Sequence, residues 1–298
     1  GNFQTDENTK VRYEKGSMAQ LISGYTTLIA HIGWPTGSFK APMIFNPYFE
    51  KKGVDALVVP MGCKGEDYPR FFKSLFQLQN IIGALITMPH KVSTVAMLDE
   101  VSTAVQVCGA CNAVRKEADG RLVGDMFDGQ GFVRGLARKG RPVQGASALI
   151  IGSGGVGSAI AVAMADAGVG RLALYDTRPD ATEQLSSRLQ QFFPTLPINL
   201  GRNDPSGFEI VVNATPMGME PGDPLPIDVG RISPDTMVGE VVMKQEVTPF
   251  VLAARERGCM TQIGTDMLFE QIPAYLEFLR LPTTSAENLR SLSHIRYQ

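Results

Sequence analysis

The chain has 298 residues, is 44% hydrophobic and 19% charged, and carries a formal net charge of −2. That length favours two domains, and the lack of any basic block argues against a nucleic-acid partner. No run approaches the ~20 apolar residues of a membrane span, and the polar opening GNFQTDENTK lacks the apolar stretch of a signal peptide, so a loose lead-in and a cytoplasmic location are expected.

Residues 20–32 read as a strand, followed by a Gly- and Pro-rich loop from Gly33 to Pro42. A helix is expected over Met43–Lys52, ending at Gly53, then an apolar strand over Val54–Pro60 and a helix from about Pro69 to Gln79. Ile81–Met88 reads as a strand closed by Pro89-His90-Lys91, Val92–Leu98 as a helix, and Leu122–Asp125 as a short strand. Alternating strands and helices imply an α/β domain with a largely parallel sheet. Further helices are expected over Gln130–Arg138, from Asp176 to about Phe192, over Thr248–Arg257 and over Met267–Leu279; this last one contains Pro273 and is expected to return to the first domain. Glu209–Asn213, Met237–Val242 and Met260–Gly264 read as strands.

The most informative stretch is Ala148–Asp176. An apolar strand, Ala148 to Ile151, meets Gly152-Ser153-Gly154-Gly155-Val156-Gly157, a G-x-G-x-x-G, and a helix of small residues runs on to Ala167. A second apolar run, Leu172–Tyr175, ends in Asp176. Strand, glycine turn, helix, strand and acid in this order form the dinucleotide fingerprint in its required context. Gly152 serves the tight turn, Gly154 the approach of backbone to a pyrophosphate, and Gly157 the packing of helix on strand. The helix N-terminus offers free N–H groups to the phosphates.

Of the four cysteines, Cys108 and Cys111 form a C-x-x-C. No second pair or histidine cluster completes a metal site, so they read as small buried side chains in a reducing compartment, and no metal is expected. His31, His90 and His294 read as structural, and Trp34 as either a substrate cap or packing at the lip of a cleft.

Six spaced motifs give the chain a resemblance, from about residue 25 to 280, to the shikimate dehydrogenase family, including its quinate/shikimate branch. Gly33-x-Pro35 through Lys40-x-Pro42 to Asn46 resembles its substrate loop, Thr87-Met88-Pro89-His90-Lys91 its T-V-P-x-K strand end, and Gly109-Ala110-Cys111-Asn112 its G-A-x-N turn. Asp128-Gly129, Asn213-Ala214-Thr215-Pro216-Met217-Gly218-Met219, and Gly264 with Met267, Leu268 and Gln271 resemble the remaining three. The resemblance implies an N-terminal α/β substrate domain (18–126, with 268–298 packing back on it), a Rossmann dinucleotide-binding domain (127–267) and a cleft between them. It implies NAD(P)-dependent, reversible hydride transfer between a nicotinamide and a cyclic hydroxy or keto acid. Lys91 and Asp128 stand at the catalytic positions; Ser38, Thr87, Asn112 and Gln271 face the substrate. Gly152, Gly154, Gly155, Val156, Gly157, Asp176, Arg178, Asn213, Ala214, Thr215, Met217, Val242 and Gly264 face the cofactor.

Taken singly, Lys91 reads as a solvated charge at a strand end and Asp128 as a turn residue. Together they make chemical sense: hydride leaves a carbinol carbon only as the O–H proton leaves too, and a lysine oriented by a carboxylate can take it. The chain also departs from the pattern. Phe39 and Ala41 occupy the positions of two serines, Leu85 that of an Asn, Glu240 that of an Asp, Met243 that of a Tyr, and Met126-Phe127 those of an N-T pair. Hydrogen bonds to a charged group are worth about 1.5–3 kcal/mol each, so an altered substrate is expected. Asp176 in place of an Asn and Thr177 in place of an Arg favour NAD, with NADP as the second choice, since Arg178 is next in line. A cofactor-binding regulator with lost or weak catalysis is the competing function, and a homodimer is the assembly considered.

Overall fold

The computed structural model describes residues 21–296; the lead-in, and with it the first residues of the expected strand and substrate domain, lies outside the described residues. The first half contains β1 (Thr27–Gly33), α1 (Pro42–Lys52), β2 (Ala56–Gly62), α2 (Tyr68–Leu75), β3 (Ile81–Ile86), β4 (Glu100–Val101), α3 (Thr103–Cys108), β5 (Ala113–Lys116), β6 (Leu122–Asp125) and α4 (Asp128–Arg138). The second contains β7 (Ser147–Ile151), α5 (Gly155–Asp166), β8 (Arg171–Tyr175), α6 (Pro179–Phe192), β9 (Ile198–Leu200), β10 (Ile210–Asn213), β11 (Met237–Glu240), α7 (Pro249–Glu256) and β12 (Thr261–Gln262). Two helices close the chain, α8 (Gly264–Phe278) and α9 (Ala286–Leu292).

Among the described residues the first sheet has the order β2-β1-β3-β5-β6-β4. Its central strands β1 and β3 are buried on both faces, which explains their continuous apolar runs. Ile29 and Leu85 look toward α1, α8 and α9, packing with Phe45, Phe49, Tyr275, Leu276 and Leu289. Ala30, Ile32, Ala84 and Ile86 look the other way, toward Tyr68 and Phe72. The return of the C-terminal helices to this sheet is therefore a packing fact.

Two local expectations, the start of the first strand and the helix after Lys91, need correction. The first strand starts at Thr27, where its N–H reaches the Asp55 carbonyl at 3.1 Å. Leu21, Ile22 and Tyr25 before it are exposed and pair with no neighbouring strand. The sheet is largely parallel, as expected, with β5 as the exception: it runs antiparallel to both β3 and β6. The connection from β5 to β6 is a turn at Asp119-Gly120, far too short for the crossover that parallel pairing requires. The helix expected over Val92–Leu98 shrinks to a 3-10 turn at Val95–Met97. The Thr94 hydroxyl donates back to the His90 carbonyl at 2.7 Å, and the chain is drawn into the sheet again at Asp99, whose N–H reaches the Leu122 carbonyl.

The second sheet is parallel throughout, in the order β12-β11-β10-β7-β8-β9. Read from β9 this is the doubly wound arrangement, whose crevice opens at the C-terminal ends of the two strands where the order reverses, here β7 and β10. Leu149, Val211, Val238 and Phe250 fill one face and Ile150, Val212, Phe132, Leu136 and Ile160 the other.

The halves are joined through α4. A Cβ at Gly129 would overlap the carbonyl of Ala159 in α5, so only glycine permits the observed approach. Inserting a methyl into such packing costs typically about 1–3 kcal/mol. Gly129→Ala is expected to lower the melting temperature by several degrees and to reduce activity, because the residue before it is Asp128. An unchanged melting curve would show that the contact can relax.

Candidate active site

The ends of the strands bring the chemistry together. Lys91 follows β3, and its carbonyl accepts the Cys111 N–H at 2.9 Å, tying the Lys91 turn to the turn that carries Asn112. His90 anchors the same turn. It is 1% exposed, stacks on Tyr68 with ring centroids 3.8 Å apart, and contacts the Cys63 carbonyl through Nε2 at 2.6 Å. Asp128 opens α4, where a carboxylate is favoured by the helix dipole. The Lys91 Nζ donates to Asp128 Oδ2 at 2.9 Å, and the Asn112 Nδ2 donates to Asp128 Oδ1 at 3.1 Å. Asn112 is held in turn: its Oδ1 accepts the Phe127 N–H at 2.9 Å, and its backbone carbonyl accepts the Tyr275 hydroxyl at 3.1 Å. Its Nδ2 also reaches Gln271 Oε1 at 3.5 Å.

Lys91, Asn112, Asp128, Gln271 and Tyr275 line a cavity of about 410 Å³, together with Ser38, Thr87, Phe39, Leu85, Leu268 and Ile272. The size suits a small-molecule ligand. Met243 and Lys244 also line it, so the cavity is bounded by segments that follow both sheets. Lys91, Asp128, Thr87, Asn112, Gln271 and Ser38 are thus brought to one space, with Ser38 on its exposed rim. His31, Tyr275, Ile272 and Lys244 were not singled out for this cavity by motif. Their only signal was a place near a recognised segment. Trp34 lines the mouth and is 47% exposed.

The dinucleotide elements converge beside it. Gly152 has φ of 103°, and a Cβ there would lie 2.7 Å from the Ala214 carbonyl oxygen. A Cβ on Gly157 would overlap the Gly152 carbonyl, whereas Gly154 and Gly155 face open space. The N-cap Gly154 makes no side-chain capping bond, so the helix start presents backbone N–H groups to that space. This cradle fits a pyrophosphate. Asp176 accepts the Ser153 N–H at 2.8 Å and the Arg178 N–H at 2.9 Å, which fixes its carboxylate at the edge of the glycine turn with Val156 half-buried nearby in sequence. Arg178 itself is exposed. Asn213 accepts the Thr215 N–H on its side-chain oxygen at 3.0 Å and donates to the Met217 carbonyl at 3.0 Å, shaping the loop with Ala214. A Cβ at Gly264 would lie 2.6 Å from the Val242 carbonyl oxygen, so these two predicted residues are in contact.

Cys108 and Cys111 are free thiols, both pushed up to about 12 mainly by burial. They therefore stay protonated and unreactive near neutrality.

Residues 32–114 match the model of the shikimate dehydrogenase substrate binding domain. The shikimate dehydrogenase (NADP(+)) of Rubrobacter xylanophilus is 33% identical over 254 residues, spanning 84% of this chain and 89% of that protein. That of Rhodospirillum rubrum is 30% identical over 259 residues, spanning 84% and 90%. Among solved structures, shikimate 5-dehydrogenase from Listeria monocytogenes in complex with shikimate and NAD aligns with a TM-score of 0.85 at 26% identity, covering 92% of this chain and 99% of that one. Quinate dehydrogenase from Corynebacterium glutamicum in complex with NAD aligns at 0.81 and 27% identity, covering 90% and 98%. Fold and cleft define a two-domain α/β protein with a Rossmann half. The chain belongs to the shikimate dehydrogenase family.

Glu240, at the end of β11, is 1% exposed and meets only uncharged donors: Asn213 Nδ2 at 3.2 Å, the Thr248 hydroxyl at 3.0 Å, and the N–H groups of Val241 at 3.0 Å and Val242 at 3.2 Å. Burial raises its pKa to about 7, against the hydrogen bonds that lower it. A raised carboxyl pKa means that the folded state holds a proton which the unfolded state has released, so the group's contribution to stability falls as pH rises from the ordinary carboxyl range to about 7 and is level above it. Glu240→Gln cannot titrate. Its melting temperature relative to the parent is expected to shift in its favour across that window, and a pH-independent difference would contradict the assignment.

Proposed function

We propose that this chain is an NAD(P)-dependent dehydrogenase acting on a CH–OH group. It interconverts a ring alcohol and its ketone in a cyclic hydroxy or keto acid related to shikimate or quinate, within an altered pocket. The observation that carries this reading is the Lys91–Asp128 pair at 2.9 Å inside a cavity also lined by Met243 and Lys244, which follow the cofactor-side Val242 in the chain. Residues 18–126 with 268–298 are assigned to the substrate side and 127–267 to the cofactor side, supported by the two separate sheets and by the packing of α8 and α9 on the first.

The nicotinamide, when bound, accepts or supplies the hydride. The glycine turn from Gly152 to Gly157 and the loop from Asn213 to Met217 would hold the dinucleotide. Lys91 takes the proton of the ring hydroxyl as the carbon loses hydride, and returns it to the ketone oxygen in the reverse direction. Asp128 aims the Lys91 amine, and Asn112 holds the other Asp128 oxygen so that the carboxylate cannot turn away. Asn112, Thr87 and Gln271 hold substrate hydroxyls, and Ser38 is the hydroxyl nearest the substituted serine positions. No observation favours a catalytically silent regulator, since the proton-handling pair is complete.

Lys91→Ala is expected to lower turnover by roughly 10²–10⁴-fold, the usual scale of general acid–base help, with cofactor affinity unchanged. Near-normal steady-state turnover in that variant would remove Lys91 from the mechanism.

Cofactor choice turns on Asp176. A carboxylate at the end of the second Rossmann strand accepts from a ribose 2′-hydroxyl and repels a 2′-phosphate. NAD is therefore expected to give the higher kcat/KM, although the two relatives above carry NADP(+) in their names. Because the site is at the cleft edge, salt screens the repulsion and a preference, not exclusion, follows. Asp176→Asn should narrow the gap mainly by tightening NADP binding; equal use of both cofactors by the parent protein would contradict the reading and point to Arg178.

A further inference from the structure

The cavity has one wall that the proposed chemistry does not use. His31, near the end of β1, is the register partner of Leu85 on β3, so their side chains share one face of the sheet. The Phe39 ring stacks on the imidazole with centroids 4.2 Å apart and planes 26° apart. A Cβ on Gly33 would lie 2.9 Å from Phe39 Cζ, so the ring is seated against backbone. Ala41, Phe45 and Leu85 complete this side of the lining and are buried. None of their side chains can donate a hydrogen bond.

His31 is 8% exposed, and its Nδ1 has no hydrogen-bond partner among the described residues. That nitrogen is sealed from solvent, so a ligand that pairs with the imidazole meets Nε2, the nitrogen left open where His31 lines the cavity. Burial also lowers the imidazole pKa to about 4, which leaves the ring neutral in the physiological range. A neutral imidazole has one donor and one acceptor nitrogen. Set among Phe39, Leu85 and Phe45, it cannot compensate the charge of a desolvated carboxylate. It can pair with an uncharged group such as a hydroxymethyl, amide or carbonyl.

We propose that the wall of His31, Phe39 and Leu85 receives an uncharged, hydrogen-bonding substituent of the substrate ring, and that His31 is the specificity-determining residue that selects it. The compound turned over here then differs from shikimate at the substituent that meets this wall. This inference rests on the dehydrogenase reading of the cavity and specifies its substrate class.

Shikimate and its primary amide have nearly the same shape and differ in charge at one substituent. Their dissociation constants are measured by calorimetry on the full chain with saturating NAD, and repeated with NADP. The amide is expected to bind at least about tenfold more tightly, a difference of about 1.4 kcal/mol. His31→Phe keeps a stacking ring and removes both nitrogens. It is expected to abolish most of the amide's advantage while melting at the same temperature as the parent or higher, because no hydrogen bond is lost. Shikimate binding as tightly as the amide would overturn the proposal. So would an unchanged ratio in His31→Phe, or no binding of either probe at millimolar concentration. The dehydrogenase reading is scored separately, by the near-ultraviolet absorbance of reduced nicotinamide with Lys91→Ala as the control. Probes that bind in the expected order yet never reduce the cofactor would sink that reading and leave the wall's selectivity standing.

Discussion

The first turn of α4 is the constraint on which the rest of the structure depends. Asp128 receives Lys91 on one carboxylate oxygen and Asn112 on the other. The next residue, Gly129, lies against the Ala159 carbonyl of α5, the helix that begins at the glycine turn. One helical turn therefore ties the Lys91–Asp128 pair to the helix that starts at the glycine turn. Helix–helix contact through glycine is short and stiff, and interiors at this packing density transmit small displacements instead of absorbing them. That stiffness is what a hydride transfer needs, since reacting atoms must be held near contact distance.

Around this fixed point the site is built in layers. Asn112 is itself held by the Phe127 N–H and the Tyr275 hydroxyl. Tyr275 comes from α8, which packs on the first sheet after the chain has completed the second. Asp266, near the start of that helix, accepts the Ile263 N–H at 3.0 Å and pairs with Lys139 beyond α4 and with Arg290 of α9. Residues far apart in sequence thus restrain a single amide. The cofactor side is similar: Glu240 connects Asn213, Thr248 and the backbone at Val242, linking the ends of β10 and β11. Such buried networks are favourable only when every member is satisfied, and the donors around Glu240 are.

The wall of Phe39, Ala41 and Leu85 departs from the family's motif pattern while the Lys91–Asp128 pair is kept. Lys91 and Asp128 come from a strand end and a helix start, while Phe39, Ala41 and Leu85 come from the loop and strand beside them. Exchanging polar for apolar side chains there removes hydrogen bonds worth about 1.5–3 kcal/mol each to a charged ligand without touching the Asp128 cluster. An aromatic ring at position 39 also acquires a stacking partner in His31, so the substitution is matched by its neighbour.

Much of this was legible before any coordinates. The glycine turn, the Asp at the end of the second Rossmann strand and the alternation of strands with helices follow from local pattern. Each depends on residues within a few positions of one another, through backbone conformation and period. The spaced motifs likewise marked Lys91, Asn112, Asp128 and Gln271 as one group. The shortened first strand, the antiparallel β5 and the failed helix after Lys91 were not legible, because each was decided by a pairing partner elsewhere: Asp55, the β5–β6 turn and the return to the sheet at Asp99. Nor were the surroundings of His31, which as a lone histidine carries no signal. Only the fold stacks it on Phe39, seals its Nδ1 and sets it beside Leu85. Local sequence determined where the chain turns and which residue types are available for chemistry. Tertiary structure decided what surrounds each of them, because burial and charge are sums over elements that the chain brings together only on folding.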